Sequence, residues 1–416
     1  MIENRADYAE VLKNILINGL SFSSAKNDFK EKGFANMLFM TTFRNLSFIK
    51  TEVLPLFIKK KIAKKQNILE YVLYLGITEI LFMNTPDYAI INSYVDVAKK
   101  KTDKFGANFI NAVLRNVLRK KDEILKNRKV KYFSKEFIEI LKKDYTKEEI
   151  EQMEKYANIE PMLDITLKKT TNAEMHKSAI SLPYGTIRYP ANTIVEKIDG
   201  FADGDWWVQD ASSSLCVKSL TNLSGKKVLD LCAAPGGKTA QLLDAGAIVT
   251  AVDISETRLQ RLKENISRLK LEDNLKIICS DILDLDFDEK FDIVLLDAPC
   301  SATGTFRRHP ELIHTKTIKD VKKQALLQEK LLEKASSFVC PTGILLYSTC
   351  SLSKEEGEIR IKNFVNKNNN FEISPIKMPK IEFSITPDGF IRILPYHFDD
   401  FLGADGFFIS CLQRKN

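Results

Sequence analysis

From Lys226 onward, short apolar runs alternate with amphipathic stretches, a pattern that few folds can accommodate. The segments KKVLDLC, KTAQLLDAG, IVTAVDI, TRLQRLKENISRLKL, LKIICSD and FDIVLLDAP follow one another with little between them. Strand and helix in alternation imply an α/β fold, a parallel sheet with helices on both faces. Gly343 to Cys350 reads as a later strand and Gly406 to Gln413 as a final one. Sheets of this kind bind nucleotide-like ligands at the carboxyl ends of their strands, and those ends hold the chemically interesting residues.

Cys232-Ala233-Ala234-Pro235-Gly236-Gly237-Lys238-Thr239 follows the strand Val228 to Leu231. Its proline and glycines form a tight turn that lets backbone approach a ligand, and the next helix presents free N–H groups to a carboxylate. The Gly-Gly-Lys-Thr ending suggests a P-loop, but that motif needs glycine where Cys232 stands. The GxGxxG dinucleotide pattern is absent as well. Asp253, Asp281 and Asp297 close the second, third and fourth strands. A single aspartate there could cap a loop or helix; three at successive strand ends form a ligand-shaped constellation in which one accepts from ribose hydroxyls.

A second motif, Leu296-Asp-Ala-Pro-Cys-Ser-Ala-Thr-Gly304, places Cys300 just past a strand, with Arg307 and Arg308 close enough in sequence to favour a thiolate or hold phosphate. A third, Leu346-Tyr-Ser-Thr-Cys-Ser351, ends another strand at Cys350. Cys216, Cys279, Cys340 and Cys411 read as inert buried thiols. Cys300 and Cys350 differ because both fall where the ligand pocket must be.

The first part of the chain has another texture. Tyr8, Val11, Leu12, Ile15 and Leu16 recur at helical spacing, as do Leu69, Val72, Leu73 and Ile80. Pro86 separates two helices, the second opening near Asp87, and a further helix covers Ala107 to Lys121 with Phe109, Val113 and Val117 on one side. Lysines gather at 59–61, 64, 65, 99–101 and 104, with Arg115, Arg119, Lys120 and Lys121 nearby. They fit an RNA-facing surface or simply solvated helix faces. Lys126 to Glu160 is charged and helix-like, and Pro161 to Trp207 carries short β pieces at Met162–Leu167 and Thr186–Tyr189, broken by Pro183, Gly185 and Pro190.

At 416 residues the chain exceeds one hydrophobic core. No apolar run approaches the roughly 18 residues that span a bilayer, and the amino terminus lacks a secretory pattern, so a cytoplasmic protein without a membrane segment is expected. Seven cysteines and four scattered histidines show neither a disulfide framework nor zinc-like spacing, so no metal is expected. The net charge of +7 leans weakly toward a polyanionic partner.

CAAPGGKT, DAPCSATG, YSTCS and the closing Asp405-Gly-Phe-Phe408 together resemble the RsmB/Sun class of RNA 5-methylcytosine methyltransferases. Gly106 to Arg115 (GANFINAVLR) is similar to the NusB-like RNA-binding domain that precedes the catalytic region in that family. The resemblance implies three parts: residues 1–126 as an all-α NusB-like bundle, 127–207 as a helical connector with a small α/β subdomain, and 208–416 as a Rossmann-like catalytic domain. Ala302, where the wider group often has glycine, and the following Arg307-Arg-His-Pro310 resemble the ribosomal-RNA branch. The family's frequent Arg and Asn after Pro161 are replaced here by Met-Leu-Asp-Ile-Thr, which leaves substrate contacts in that subdomain open.

The implied reaction is methylation of carbon 5 of a cytosine in small-subunit ribosomal RNA by S-adenosyl-L-methionine. Carbon 5 is a poor nucleophile until a thiolate adds to carbon 6. By resemblance Cys350 is that nucleophile, Cys300 assists release, Asp297 stabilises the protonated ring, and Lys238 orients the nucleophile or cofactor. The Cys232 to Lys238 loop, Asp253, Asp281 and Asp297 would hold the cofactor. A free thiol of pKa ~8.5 is only slightly ionised at neutral pH, so Cys350 needs an activator that the sequence does not reveal. The target cytosine must be unpaired or flipped out, and a monomer is expected. Two other readings remain at this point: a transfer-RNA cytosine methyltransferase, against which the NusB-like part argues, and a non-catalytic RNA-binding assembly factor, against which the intact cysteines argue. DNA cytosine methylation fits less well, because it uses a Pro-Cys nucleophile without a second cysteine motif.

Overall fold

The computed structural model describes residues 5–25, 28–59, 67–129, 131–171 and 179–416, and the chain divides into two units, Met1–Glu139 with His309–Thr317, and Ile140–Arg308 with Ile318–Asn416. In the first unit the helical spacings form helices Arg5–Asn18, Lys32–Phe48, Ile68–Phe82, Asp87–Lys101 and Lys104–Arg119. Ile68–Phe82 is apolar nearly all round and is buried against the other four, as an all-round hydrophobic helix must be. Its one fully buried charge, Glu79, accepts from the Arg5 guanidinium through two 2.8 Å bonds and from the Tyr94 hydroxyl at 2.5 Å. Pairing of this kind is what makes a buried carboxylate tolerable. Asp103 caps Lys104–Arg119 by accepting from the Gly106 amide at 2.8 Å.

Lys59, Lys99, Lys100, Lys101, Lys104, Arg115, Arg119 and Lys120 are exposed, whereas Lys121 is half-buried. Lys60, Lys61, Lys64 and Lys65 lie outside the described residues.

The charged stretch after Lys126 holds helices Lys135–Leu141 and Lys147–Lys155, the latter opened by a Thr146–Glu149 capping box. The short β pieces pair into an antiparallel sheet of β1 (Leu163–Leu167), β2 (Ile180–Ser181), β3 (Thr186–Tyr189) and β4 (Trp206–Val208), in the order β2-β3-β1-β4. Asp164, within the Met-Leu-Asp-Ile-Thr segment, is buried and takes a two-pronged bond from Arg188 at 2.6 and 2.7 Å.

The large sheet comprises β5 (Lys227–Leu231), β6 (Ile248–Asp253), β7 (Leu275–Cys279), β8 (Phe291–Asp297), β9 (Val339–Thr349), β10 (Phe371–Ile373), β11 (Ile391–Ile393) and β12 (Phe407–Arg414). Its order is β10-β12-β9-β8-β5-β6-β7, with β11 also on β12. Strands β5 to β9 run parallel, as the alternation predicts, and β12 returns antiparallel to β9. Alternate residues feed opposite faces. Val228, Val249, Ile293 and Leu346 join one apolar cluster, while Leu229, Val252, Val294 and Leu345 join the other, which is why these strands are apolar throughout rather than every second residue.

Two cysteines expected to be buried are not. Cys279 is exposed because β7 is an edge strand and Cys279 is its last residue; Cys340 is only half-buried near the start of β9. Cys216 and Cys411 are buried as expected.

Candidate functional site

Because β5 lies between β6 and β8, the direction of strand order reverses at its carboxyl end, and a crevice opens there. The Cys232–Lys238 loop fills that position. Cys232 and Gly236 both take left-handed backbone conformations, φ 61° and 102°. A Cβ on Gly236 would stand 2.9 Å from the Leu262 side chain, so only glycine serves here. The helix Gly237–Asp244 starts immediately after, its amino terminus facing the crevice loop.

This loop lines a cleft of about 450 Å³ together with Trp207, Gln209, Asp210, Ser213, Asp230, Arg268 and Asp297, a size typical of small-molecule sites at ~300–1,000 Å³. Asp230 is fully buried, and its Oδ1 has no hydrogen-bond partner among the described residues, while Oδ2 accepts from Thr239 at 2.7 Å. Burial pushes its carboxyl up to about 7. A free helix amino terminus for a carboxylate and an unsatisfied carboxylate for an ammonium group fit the amino-acid end of S-adenosylmethionine.

Asp297 ends β8 directly opposite Ser348 of β9. It accepts from the Ser348 hydroxyl at 2.7 Å and from Lys238 Nζ at 2.8 Å. Lys238 also donates to Ser213 at 3.1 Å and lies 5.1 Å from the Phe407 ring centre. Burial alone would pull the Lys238 ammonium down, yet the Asp297 carboxylate leaves it raised and firmly charged.

Three residues beyond Asp297 comes Cys300, and one beyond the end of β9 comes Cys350; their Sγ atoms are 3.4 Å apart. The hydrogen bond with Cys350, then burial, holds the Cys300 thiol well above its usual range. Backbone bonds knit three motifs around them: the Gly304 amide donates to the Cys350 carbonyl at 2.9 Å, and the Gly406 amide donates to the Gly304 carbonyl at 2.9 Å.

The fold thus brings together Cys300, Cys350, Lys238, Asp297 and the Cys232–Lys238 loop. Asp253 and Asp281 do not line the cleft. Asp253 is buried and shapes the loop, accepting from the Ala234 amide at 3.2 Å and pairing with Arg258 at 3.3 Å. Asp281 stands two residues past the end of β7 and caps the turn Ile282–Asp284 through the Leu283 amide. Arg307 and Arg308 do not serve the thiolate or a phosphate as expected. Arg307 is buried and donates to the Leu402 carbonyl at 2.6 Å, and Arg308 is occupied by Asp405 at 2.7 Å and Asp210 at 2.8 Å.

Sequence reasoning missed Ser213, the Asp210–Arg308–Asp405 cluster and Glu356. Asp405 belongs to the closing motif and Asp210 caps the small-residue helix Ala211–Lys218, so both left a signal. Glu356 sits in the run Lys354–Glu358, which reads as a solvated surface, yet it is fully buried. Among the described residues no group of His, Cys, Asp and Glu could hold a metal, and no helix is long and apolar enough to cross a membrane.

Residues 217–413 match the family described as 16S rRNA methyltransferase RsmB/F, and residues 2–119 match the NusB family. Ribosomal RNA small subunit methyltransferase B of Serratia proteamaculans is 33% identical over 334 residues, covering 74% of this chain and 76% of the relative. The protein of the same name from Yersinia pseudotuberculosis is 28% identical over 99% of this chain and 98% of its own. Among solved structures, NSun6 from Pyrococcus horikoshii with SFG shares the fold, with a TM-score of 0.59 and 22% identity over 68% of this chain and 99% of that one.

Proposed function

The chain belongs to the RsmB/F family of 16S rRNA methyltransferases, and from that membership we propose the division of labour among its own side chains. It is an S-adenosylmethionine-dependent RNA methyltransferase that acts on carbon 5 of a cytosine in small-subunit ribosomal RNA. The single observation carrying the mechanism is the 3.4 Å approach of Cys300 and Cys350 at the carboxyl ends of adjacent strands.

S-adenosylmethionine supplies the electrophilic methyl group. Cys350, as thiolate, adds to carbon 6 of the flipped cytosine and makes carbon 5 nucleophilic. Asp297, at the head of the site and held by Lys238 and Ser348, stabilises the proton that the ring nitrogen gains during this addition. Once the thioether has formed, Cys300 releases its own proton to solvent and, as thiolate, takes the carbon 5 proton; the carbon 6–sulfur bond breaks, Cys350 leaves as thiolate, the ring nitrogen returns its proton to solvent, and the ring regains its double bond. The close contact makes this sequence self-timing: a thiolate on Cys350 opposes ionisation of Cys300, and that opposition ends once Cys350 is bound up in a neutral thioether.

The Cys232–Lys238 loop holds the cofactor's amino-acid end, and Asp253, at the end of β6, serves it indirectly by accepting from the Ala234 amide of that loop. The exposed basic residues of the helical part grip RNA backbone, and the protein acts as a cytoplasmic monomer. The expected parts are residues 1–126, 127–207 and 208–416.

A denaturing gel tests this reading. Cys300→Ser, incubated with small-subunit ribosomal RNA and S-adenosylmethionine, should give a slow covalent protein–RNA band that Cys350→Ser lacks. Wild-type methyl transfer without any such band from Cys300→Ser would show the cysteine roles to be wrong.

A further inference from the structure

We infer that Glu356 is a positioning residue that sets the separation of the two active-site thiols by holding both cysteine turns on one buried carboxylate. The inference rests on the two-cysteine reading above and deepens it.

Glu356 has no exposed surface. Its Oε1 accepts from the Ser301 amide at 2.8 Å and from Gln328 Nε2 at 3.0 Å. Its Oε2 accepts from the hydroxyls of Ser301 and Ser351. Ser301 follows Cys300 and Ser351 follows Cys350, so a single carboxylate bridges the residues next to both thiols. Gln328 also donates to the Pro299 carbonyl at 3.0 Å, which fixes the other side of Cys300. Thr303 Oγ1 reinforces the bridge, lying 3.2 Å from Ser351 Oγ and accepting from the Leu352 amide at 2.9 Å.

The chemistry of the site explains why a carboxylate stands there. Four donors converge, and only an ionised carboxylate can accept from all of them; a glutamine amide would turn two of its own hydrogens toward donors. Hydrogen bonds to a charged acceptor are also roughly twice as strong as neutral ones. Within this site the Glu356 carboxylate is held by four donated hydrogen bonds. A group needed only to fill space would be less costly if apolar. What the charged form adds is two loops, 50 residues apart in sequence, pinned to one point. Its negative charge also contributes to keeping the Cys300 thiol protonated.

The test uses the full chain and separates thiol geometry from folding. Phenylarsine oxide, whose trivalent arsenic binds two thiols only when they are close together, should bind wild type at the Cys300/Cys350 pair and not bind there in Cys350→Ser. Glu356→Gln should bind the arsenical about tenfold more weakly and lose roughly 100-fold in kcat, the scale of a ~1 Å misplacement, with KM for S-adenosylmethionine unchanged. If Glu356→Gln does not fold, Ser301→Ala and Ser351→Ala each remove one arm of the bridge, and both should weaken arsenical binding with native circular dichroism. Wild-type arsenical affinity in these variants, with or without loss of activity, overturns the positioning role. Full methyl transfer by Cys350→Ser would instead overturn the two-cysteine reading itself, so the two failures are distinguishable.

Discussion

Cys300 and Cys350 face each other with 3.4 Å between their sulfur atoms, so a charge on one sulfur opposes a second charge on the other. Cys350 therefore raises the Cys300 thiol, with burial adding to the effect. Removing the partner should reverse the first contribution and leave the second. In Cys350→Ala, the pH midpoint for alkylation of Cys300 by iodoacetamide should move down from its wild-type value while staying above that of a free thiol. An unchanged or higher midpoint would mean that the contact does not govern Cys300.

Lys238 is the cation nearest the reacting carboxylate, 2.8 Å from Asp297. Lys238→Met preserves the length of the chain and removes the charge, so Asp297 loses the donor that orients it. Single-turnover methyl transfer should slow by about 10²–10³, the usual effect of losing one preorganised donor. Lys238→Arg should not restore the rate, because a planar guanidinium cannot occupy a point-charge site buried beside Phe407. A rate within about threefold of wild type in Lys238→Met would count against any role for the pair.

Gly304 is a packing requirement rather than a flexible link. A Cβ there would sit 2.7 Å from the Gly406 carbonyl carbon and 2.8 Å from the Cys350 carbonyl oxygen, and backbone cannot yield as a side-chain tip can. Gly304→Ala should destabilise the protein by about 1–3 kcal/mol, as overpacking does, and should impair methyl transfer more than cofactor binding. Melting temperature and cofactor titration measured side by side check this; a fully active, equally stable variant would contradict it.

His314 gives the first unit an acid limit. Burial lowers its imidazole to about 3, opposed by its 2.7 Å hydrogen bond with the Phe43 carbonyl. In the unfolded chain the ring titrates near 6.5, so the unfolded state binds the extra proton. The stabilising contribution is therefore fully present above pH ~6.5 and is lost as pH falls toward the folded value. His314→Gln, which can still donate to Phe43, should flatten the fall in melting temperature between pH 6.5 and 4. An unchanged pH profile would show that His314 does not cause it.

Much of the site was legible because its chemistry is written in contiguous motifs. The turn at Cys232–Lys238, Asp297 and both cysteines were all identifiable from short runs following apolar strands. Arg308 misled, because sequence proximity to Cys300 says nothing about which carboxylates a long side chain will meet, and Asp210 and Asp405 lie 98 and 97 positions away. Glu356 was invisible for a related reason: a glutamate among charged neighbours reads as surface until Ser301 and Gln328, distant in the chain, close over it together with Ser351. Cys279 shows the same limit in reverse, since an apolar strand gives no sign of being the last in its sheet.

Periodicity, turn chemistry and nucleophile type are properties of short stretches of chain, so the α/β alternation, the helical bundle that precedes it and the reactive groups are all written in the amino acids alone. The 3.4 Å between the two sulfurs, the hold of Lys238 on Asp297 and the burial of Glu356 arise from the folded arrangement. These depend on the register in which β8 meets β9 and β9 meets β12. That register is fixed by the packing of the whole core, whose energy is shared among residues far apart in the chain and so cannot be read from any one segment of it.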